Sequence, residues 1–129
     1  MPSSVGLWAA SHAESLLDDL NILSTAYKLV DQSPLGSAAG YGVPMSLDRA
    51  YSASLLGFGS VQNNSIYCQN SRGKIEAVVV ASLISIAQTI NKFASDVLLF
   101  TTSEFGFFTI ADTLTTGSSI MPQKKNIDV

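Results

Sequence analysis

The sequence predicts an all-α chain built on long helices, and three observations carry that expectation. Apolar residues recur at helical spacing from about Ser4 to Asp31. The run from Ile75 to Phe100 is apolar nearly all round. Glycine and proline punctuate the stretches between these runs.

In the first segment Val5, Trp8, Leu16, Leu20, Leu23, Tyr27 and Val30 fit one helical face, and Glu14, Asp18, Asp19 and Lys28 occupy much of the rest. Pro2 and the pair Ser33-Pro34 mark its ends. The stretch SPLGSAAGYGVP follows, with Gly36, Gly40 and Gly42 between two prolines. It reads as a long loop, either a flexible linker or a segment packed through its small residues Ser37, Ala38 and Ala39. Ser46 can cap a short helix, SLDRAYSASLLGF, that Gly57 and Gly59 end.

A third helical segment begins near QNNS and is expected to continue past Gly73. Ser82, Ser85, Gln88 or Thr89, Lys92, and Ser95 or Asp96 leave one narrow polar stripe on its apolar cylinder. Such a helix is normally buried. At 1.5 Å per residue it runs on the order of 40 Å, more than one partner of similar length and a short helix can cover. More helices are therefore expected, from additional sequence, other subunits or both. Beyond it Phe105, Phe107 and Phe108 form a small aromatic anchor, and after Asp112 the chain turns polar.

Composition agrees. Only 13% of the residues are charged, against ~25% in typical soluble domains. A domain this small has a large surface for its volume, so much of that surface is expected to meet protein. The longest uncharged apolar stretch lies between Glu76 and Lys92 and falls short of the ~18–20 residues of a membrane span. The start, MPSSVGLWAA, lacks the pattern of a secretory signal. A net charge of −3 with seven Lys and Arg suggests no nucleic-acid surface. Cys68, the only cysteine, can form no internal disulfide and cannot build a structural zinc site alone. It reads as a small buried hydrophobe in a reducing cytoplasm.

Candidate chemistry concentrates in GSSIMPQKKN, residues 117–126. Gly117 permits a tight turn, and Ser118 and Ser119 are possible nucleophiles, bases or anion ligands. Pro122 stiffens the loop. Lys124 and Lys125 bring positive charge, and Asn126 brings both a donor and an acceptor. A hydroxyl beside a fixed ammonium suits a substrate carrying carboxylates. A solvated capping loop has the same composition, and spacing alone does not separate the two.

The same residues resemble the signature loop of the fumarase/aspartase superfamily, approximately G-S-S-x-M-P-x-K-x-N, without a mismatch from Gly117 to Asn126. The version Gln123-Lys124-Lys125-Asn126 is similar to that of the argininosuccinate lyase family. MPSSVGLWAASHAESLLDDL, DQSPLGSAAGYGVP, SVQNNSIYCQNSRGKIEAVVVASL and FASDVLLFTTSEFGF resemble further segments of that family, so the likeness covers essentially the whole chain.

The resemblance implies that residues 1–129 are part of the superfamily's central helical domain, a long-helix bundle. It implies β-elimination of argininosuccinate to arginine and fumarate in arginine biosynthesis, in the cytoplasm, with no metal or organic cofactor. The implied partners are the small-molecule substrate and other copies of the chain in a homotetramer, with no nucleic acid and no membrane. Ser118 matches the serine that removes the Cβ proton. Lys124 and Asn126 match carboxylate-binding residues, while Ser119, Met121 and Gln123 shape the loop. Lys125 is expected at the surface or between subunits. The family's Thr-His motif is expected just before Met1 and its partner glutamate just after Val129, so the chain reads as an internal fragment. His12 does not match that motif and is expected to be structural. Two alternatives remain: another fumarate-releasing lyase, and a non-catalytic truncated or structural protein on the same scaffold.

Overall fold

The computed structural model describes residues 1–127, in two compact units. The first is Met1–Ala87 and the second begins at Gln88.

The first unit opens with helix α1, Val5–Val30. The Ser4 hydroxyl caps it by accepting from the Leu7 N–H at 3.1 Å, and the Asp31 N–H closes it onto the Tyr27 carbonyl at 3.0 Å. These ends lie where Ser4 and Asp31 were expected. Strand β1, Gln32–Ser33, pairs in parallel with β2, Ser60–Val61. Between them lies helix α2, Arg49–Leu55. Asp48, not Ser46, caps α2, with its carboxylate accepting from the Tyr51 N–H at 2.8 Å.

The glycine-rich stretch is a packed loop, not a free linker. The Arg49 guanidinium donates to the carbonyls of Leu35 at 3.0 Å, Asn63 at 3.1 Å and Gln62 at 2.7 Å. Gly36 sits at φ +80° with the Arg49 chain directly over it, so a side chain there would be both strained and obstructed. The Gln69 amide accepts from the Gly40 N–H at 3.1 Å and donates to its carbonyl at 2.6 Å. Cys68 is half-buried and donates to the Gln62 carbonyl at 3.3 Å.

The expected third segment is two helices, α3 (Ser65–Asn70) and α4 (Lys74–Phe100). Gly73, at φ +83°, breaks the chain between them. Its N–H donates to the Glu76 carboxylate at 2.7 Å, the carboxylate half of a capping box. The N–H of Glu76 itself and that bond from Gly73 hold the Glu76 carboxyl below the usual glutamate range.

Within the first unit α1 and the start of α4 run antiparallel. The end of α1 leads into β1, whose buried Ser33 accepts from the Gln62 N–H at 3.0 Å. The buried Gln62 amide in turn donates to Ser71, just before α4, at 2.9 Å. About three turns from those ends, the Ser85 hydroxyl donates to buried Asp19 at 2.5 Å.

The polar stripe of α4 is buried at Ser82 and Thr89 and exposed at Lys92 and Ser95. Ser82 is 1% exposed, whereas Leu83 beside it is 50% exposed. Thr89 is buried too, while Val80, Ile84, Ile90 and Leu98 are exposed. Among the described residues the only buried apolar ones are Ala26 and Ala53. The helix expected to be buried therefore presents its apolar flanks outward. α4 is long and apolar enough to cross a membrane, with a mean hydropathy of 1.5 over an 18-residue stretch. That corrects the expectation drawn from the shorter uncharged stretch, because one charged residue among 18 leaves the mean high.

In the second unit the end of α4 turns back on itself. The Phe107 and Phe108 N–H groups both donate to the Phe100 carbonyl, at 2.9 and 3.2 Å. The Phe100 ring packs on both of theirs, with centroids 5.6 and 5.9 Å apart, which forms the expected aromatic anchor. A 3-10 turn at Asp112–Leu114 leads to strands β3, Thr115–Gly117, and β4, Lys125–Ile127. The long elements are helical as expected, and the two short sheets qualify the all-α reading. Each joins loop segments whose backbone groups would otherwise lack partners.

Candidate active-site loop

β3 and β4 form an antiparallel hairpin, with Thr115 opposite Ile127, Thr116 opposite Asn126 and Gly117 opposite Lys125. Residues 118–124 form its loop. All six candidate residues therefore lie in the loop or on the strand that leaves it: Ser118, Ser119, Met121, Gln123, Lys124 and Asn126; Lys125 joins them on that strand.

Ser118 is half-buried at the point where the chain leaves β3. Its hydroxyl oxygen accepts from the Ile120 and Met121 N–H groups, at 3.3 Å each. These donors result from the turn after Ser118, in which the backbone folds over the side chain that starts it. Two N–H dipoles aimed at one oxygen favour negative charge on it. The turn closes where the Lys124 N–H donates to the Met121 carbonyl at 3.0 Å.

Successive strand residues point to opposite faces. Lys125 and Ile127 therefore share one face of the hairpin with Thr115, and Asn126 lies on the other with Thr116. On the first face the Lys125 ammonium forms an ion pair with Asp112. These residues, with Thr101, Thr102 and Phe108, line a cavity of about 330 Å³. Lys124 is exposed and forms no ion pair among the described residues. Among the described residues the adjacent lysines thus differ, Lys125 being ion-paired and Lys124 not. Asn126 is half-buried, whereas Ser119, Met121 and Gln123 are exposed.

His12 belongs to the first unit, where its ring meets that of Trp8 edge-on, with centroids 5.4 Å apart. Sequence reasoning missed Asp112 as a partner for this loop. The available signal was a lone carboxylate in an otherwise uncharged stretch shortly before two lysines.

Against known proteins, the model of a family described as "Lyase" matches residues 1–128. Argininosuccinate lyase from Phocaeicola vulgatus is 52% identical over 129 residues, which is all of this chain and 29% of that protein. Argininosuccinate lyase from Thermotoga neapolitana is 49% identical over 128 residues, covering 99% of this chain and 32% of that protein. The chain thus spans about three-tenths of the length of these relatives. Among solved structures, an EDDS lyase in complex with formate matches with a TM-score of 0.84 and 30% identity, over 89% of this chain and 23% of that one.

Proposed function

This chain belongs to the lyase family whose model it matches, and from that premise we propose that it is the central helical segment of an argininosuccinate lyase. The reaction is β-elimination of argininosuccinate to arginine and fumarate, in arginine biosynthesis in the cytoplasm. The observation that carries this reading is identity of 49–52% along essentially the whole chain with relatives of that name. The EDDS lyase neighbour is 30% identical, so the closer likeness favours argininosuccinate as substrate.

In this reading Ser118 takes the Cβ proton of the succinyl group as an alkoxide, its own proton having left to a group outside these residues. Two N–H donors at 3.3 Å lower the cost of that charge. The electron pair left by the proton moves into the neighbouring carboxylate, making an aci-carboxylate that Lys124 and Asn126 hold. Collapse of that species forms the fumarate double bond and breaks the C–N bond. The departing nitrogen keeps the bond's electrons and takes a proton from an acid that these residues do not supply. Met121 and Gln123 shape the turn and Ser119 supports it. No step calls on a metal or organic cofactor.

Assembly belongs to the same proposal. A homotetramer of helical bundles would cover the apolar flanks of α4, and protein suits them better than lipid because Lys92 and Asp96 place charge within the apolar run. The alternative, a non-catalytic structural protein on this scaffold, predicts a loop that cannot support turnover. A segment exchange decides between them. The 129 residues replace the segment that they match in the Phocaeicola vulgatus protein, and fumarate is followed by absorbance with argininosuccinate as substrate. Turnover within about tenfold of the parent is expected. An exchanged protein that assembles and binds argininosuccinate but forms no fumarate would exclude the catalytic reading.

A further inference from the structure

We propose that Asp112 and Lys125 are positioning residues for the loop, an inference that rests on the lyase reading above. Three observations converge on the pair. Lys125 stands opposite Gly117 in the hairpin, so its backbone register adjoins the residue before Ser118. Its ammonium reaches away from the loop tip to Asp112. Asp112 opens the 3-10 turn that feeds β3, and its carbonyl accepts from the Thr115 hydroxyl at 2.9 Å.

Together these contacts close a ring: Asp112 to β3 through the chain, β3 to β4 through the ladder, and Lys125 back to Asp112 through charge. The ring fixes the base from which Ser118 departs and to which Lys124 returns. It also occupies one of two adjacent ammonium groups, so a dicarboxylate substrate meets Lys124 alone at the loop.

Both partners are largely exposed, with side-chain accessibilities of 61% and 76%, so the pair tunes the loop and does not build it. An exposed pair of this kind changes an equilibrium by about twofold to fivefold. Loss of either charge should therefore lower kcat by about that factor with little change in KM. A lysine that touched the reacting carboxylate would show a far larger loss.

The test uses Lys125→Gln, Asp112→Asn, Lys125→Arg and the reversed pair Asp112→Lys with Lys125→Asp. Amide exchange of residues 115–127 is measured on the complete chain, and kinetics on the segment-exchanged lyase. Both single neutralisations should speed hairpin exchange and lower kcat by about twofold to fivefold. Lys125→Arg and the reversed pair should restore both. Unchanged exchange in the single variants overturns the proposal whether or not the parent turns over. So does a reversed pair that remains as impaired as Lys125→Gln. A parent that exchanges slowly at the hairpin yet forms no fumarate counts against the lyase reading, and the exchange measurement still decides the pair.

Discussion

Replacing Ser118 with alanine deletes one oxygen and separates what that oxygen does for structure from what it does for chemistry. In the folded loop it accepts two backbone N–H groups at 3.3 Å each. Both are long bonds from exposed residues, and water replaces the lost acceptor. Each is worth at most about 0.5–1.5 kcal/mol, so the turn should survive. Binding of argininosuccinate rests on its carboxylates and guanidinium, and loss of a single neutral contact weakens it by about tenfold at most. Proton removal has no such substitute. A positioned base contributes roughly 10²–10⁴ in rate, or about 2.7–5.5 kcal/mol of barrier. In the segment-exchanged lyase, kcat should fall by at least that factor while the dissociation constant changes little. Fumarate absorbance gives the first quantity and calorimetric titration the second. Turnover within tenfold of the parent would falsify the assignment of Ser118 as base. A parallel collapse of binding would show that the hydroxyl matters before the transition state.

Lys124→Ala should damage both binding and kcat, because its ammonium meets the carboxylate before reaction and holds it harder as charge builds, whereas Lys125→Ala should cost only a few-fold. Kinetics and titration on the two variants check the order, and a reversal breaks the residue assignments. The purified chain should self-associate and bind hydrophobic dyes, since Val80, Leu83, Ile84, Ile90 and Leu98 stand exposed along one helix. Sedimentation velocity showing a monomer that binds no dye contradicts this. By itself the chain should release no fumarate above the uncatalysed background, because the proposed mechanism draws the group that deprotonates Ser118 and the acid for the leaving nitrogen from outside these residues. The Glu76 carboxyl lies below its ordinary range in the folded state, so its support of the α4 N-terminus is complete above about pH 4.3 and is lost as pH falls through the lower folded value. Faster exchange of the Gly73 amide over that window, absent in Glu76→Gln, is the expected sign.

Much of the helical framework was legible because its signals are local. Ser4 caps α1 through a bond to Leu7, three residues on, and the apolar run of α4 needs no tertiary context. The loop was legible as a motif, Gly117 to Asn126, before any geometry was known. Other features depend on contacts between distant residues. The Gly59 N–H donates to Asp31 at a separation of 28 residues, and the Ser85 hydroxyl to Asp19 at 66. Periodicity located the polar stripe of α4 but could not say which face the chain itself covers, since an apolar flank can await other helices. The break at Gly73 was missed because apolar periodicity on either side conceals a single residue at positive φ. The choice of Asp48 over Ser46 as a cap turns on which side chain reaches the Tyr51 N–H, and composition does not encode that.

The outward-facing flanks of α4 make stability a question of mass action. With Ala26 and Ala53 the only buried apolar residues described, little of the free energy of folding is available to a solitary chain. In the proposed homotetramer most would come when copies meet, so folded protein and assembled protein would be nearly the same population. For an assembly of n copies the ratio of assembled to unfolded chain scales with the concentration of free unfolded chain to the power n − 1, so it rises with total concentration. Halving the rate of synthesis would then more than halve the amount of folded protein. A substitution on the exposed face that never approaches the loop would act like a fall in expression, sparing the activity of each assembly while reducing how many exist.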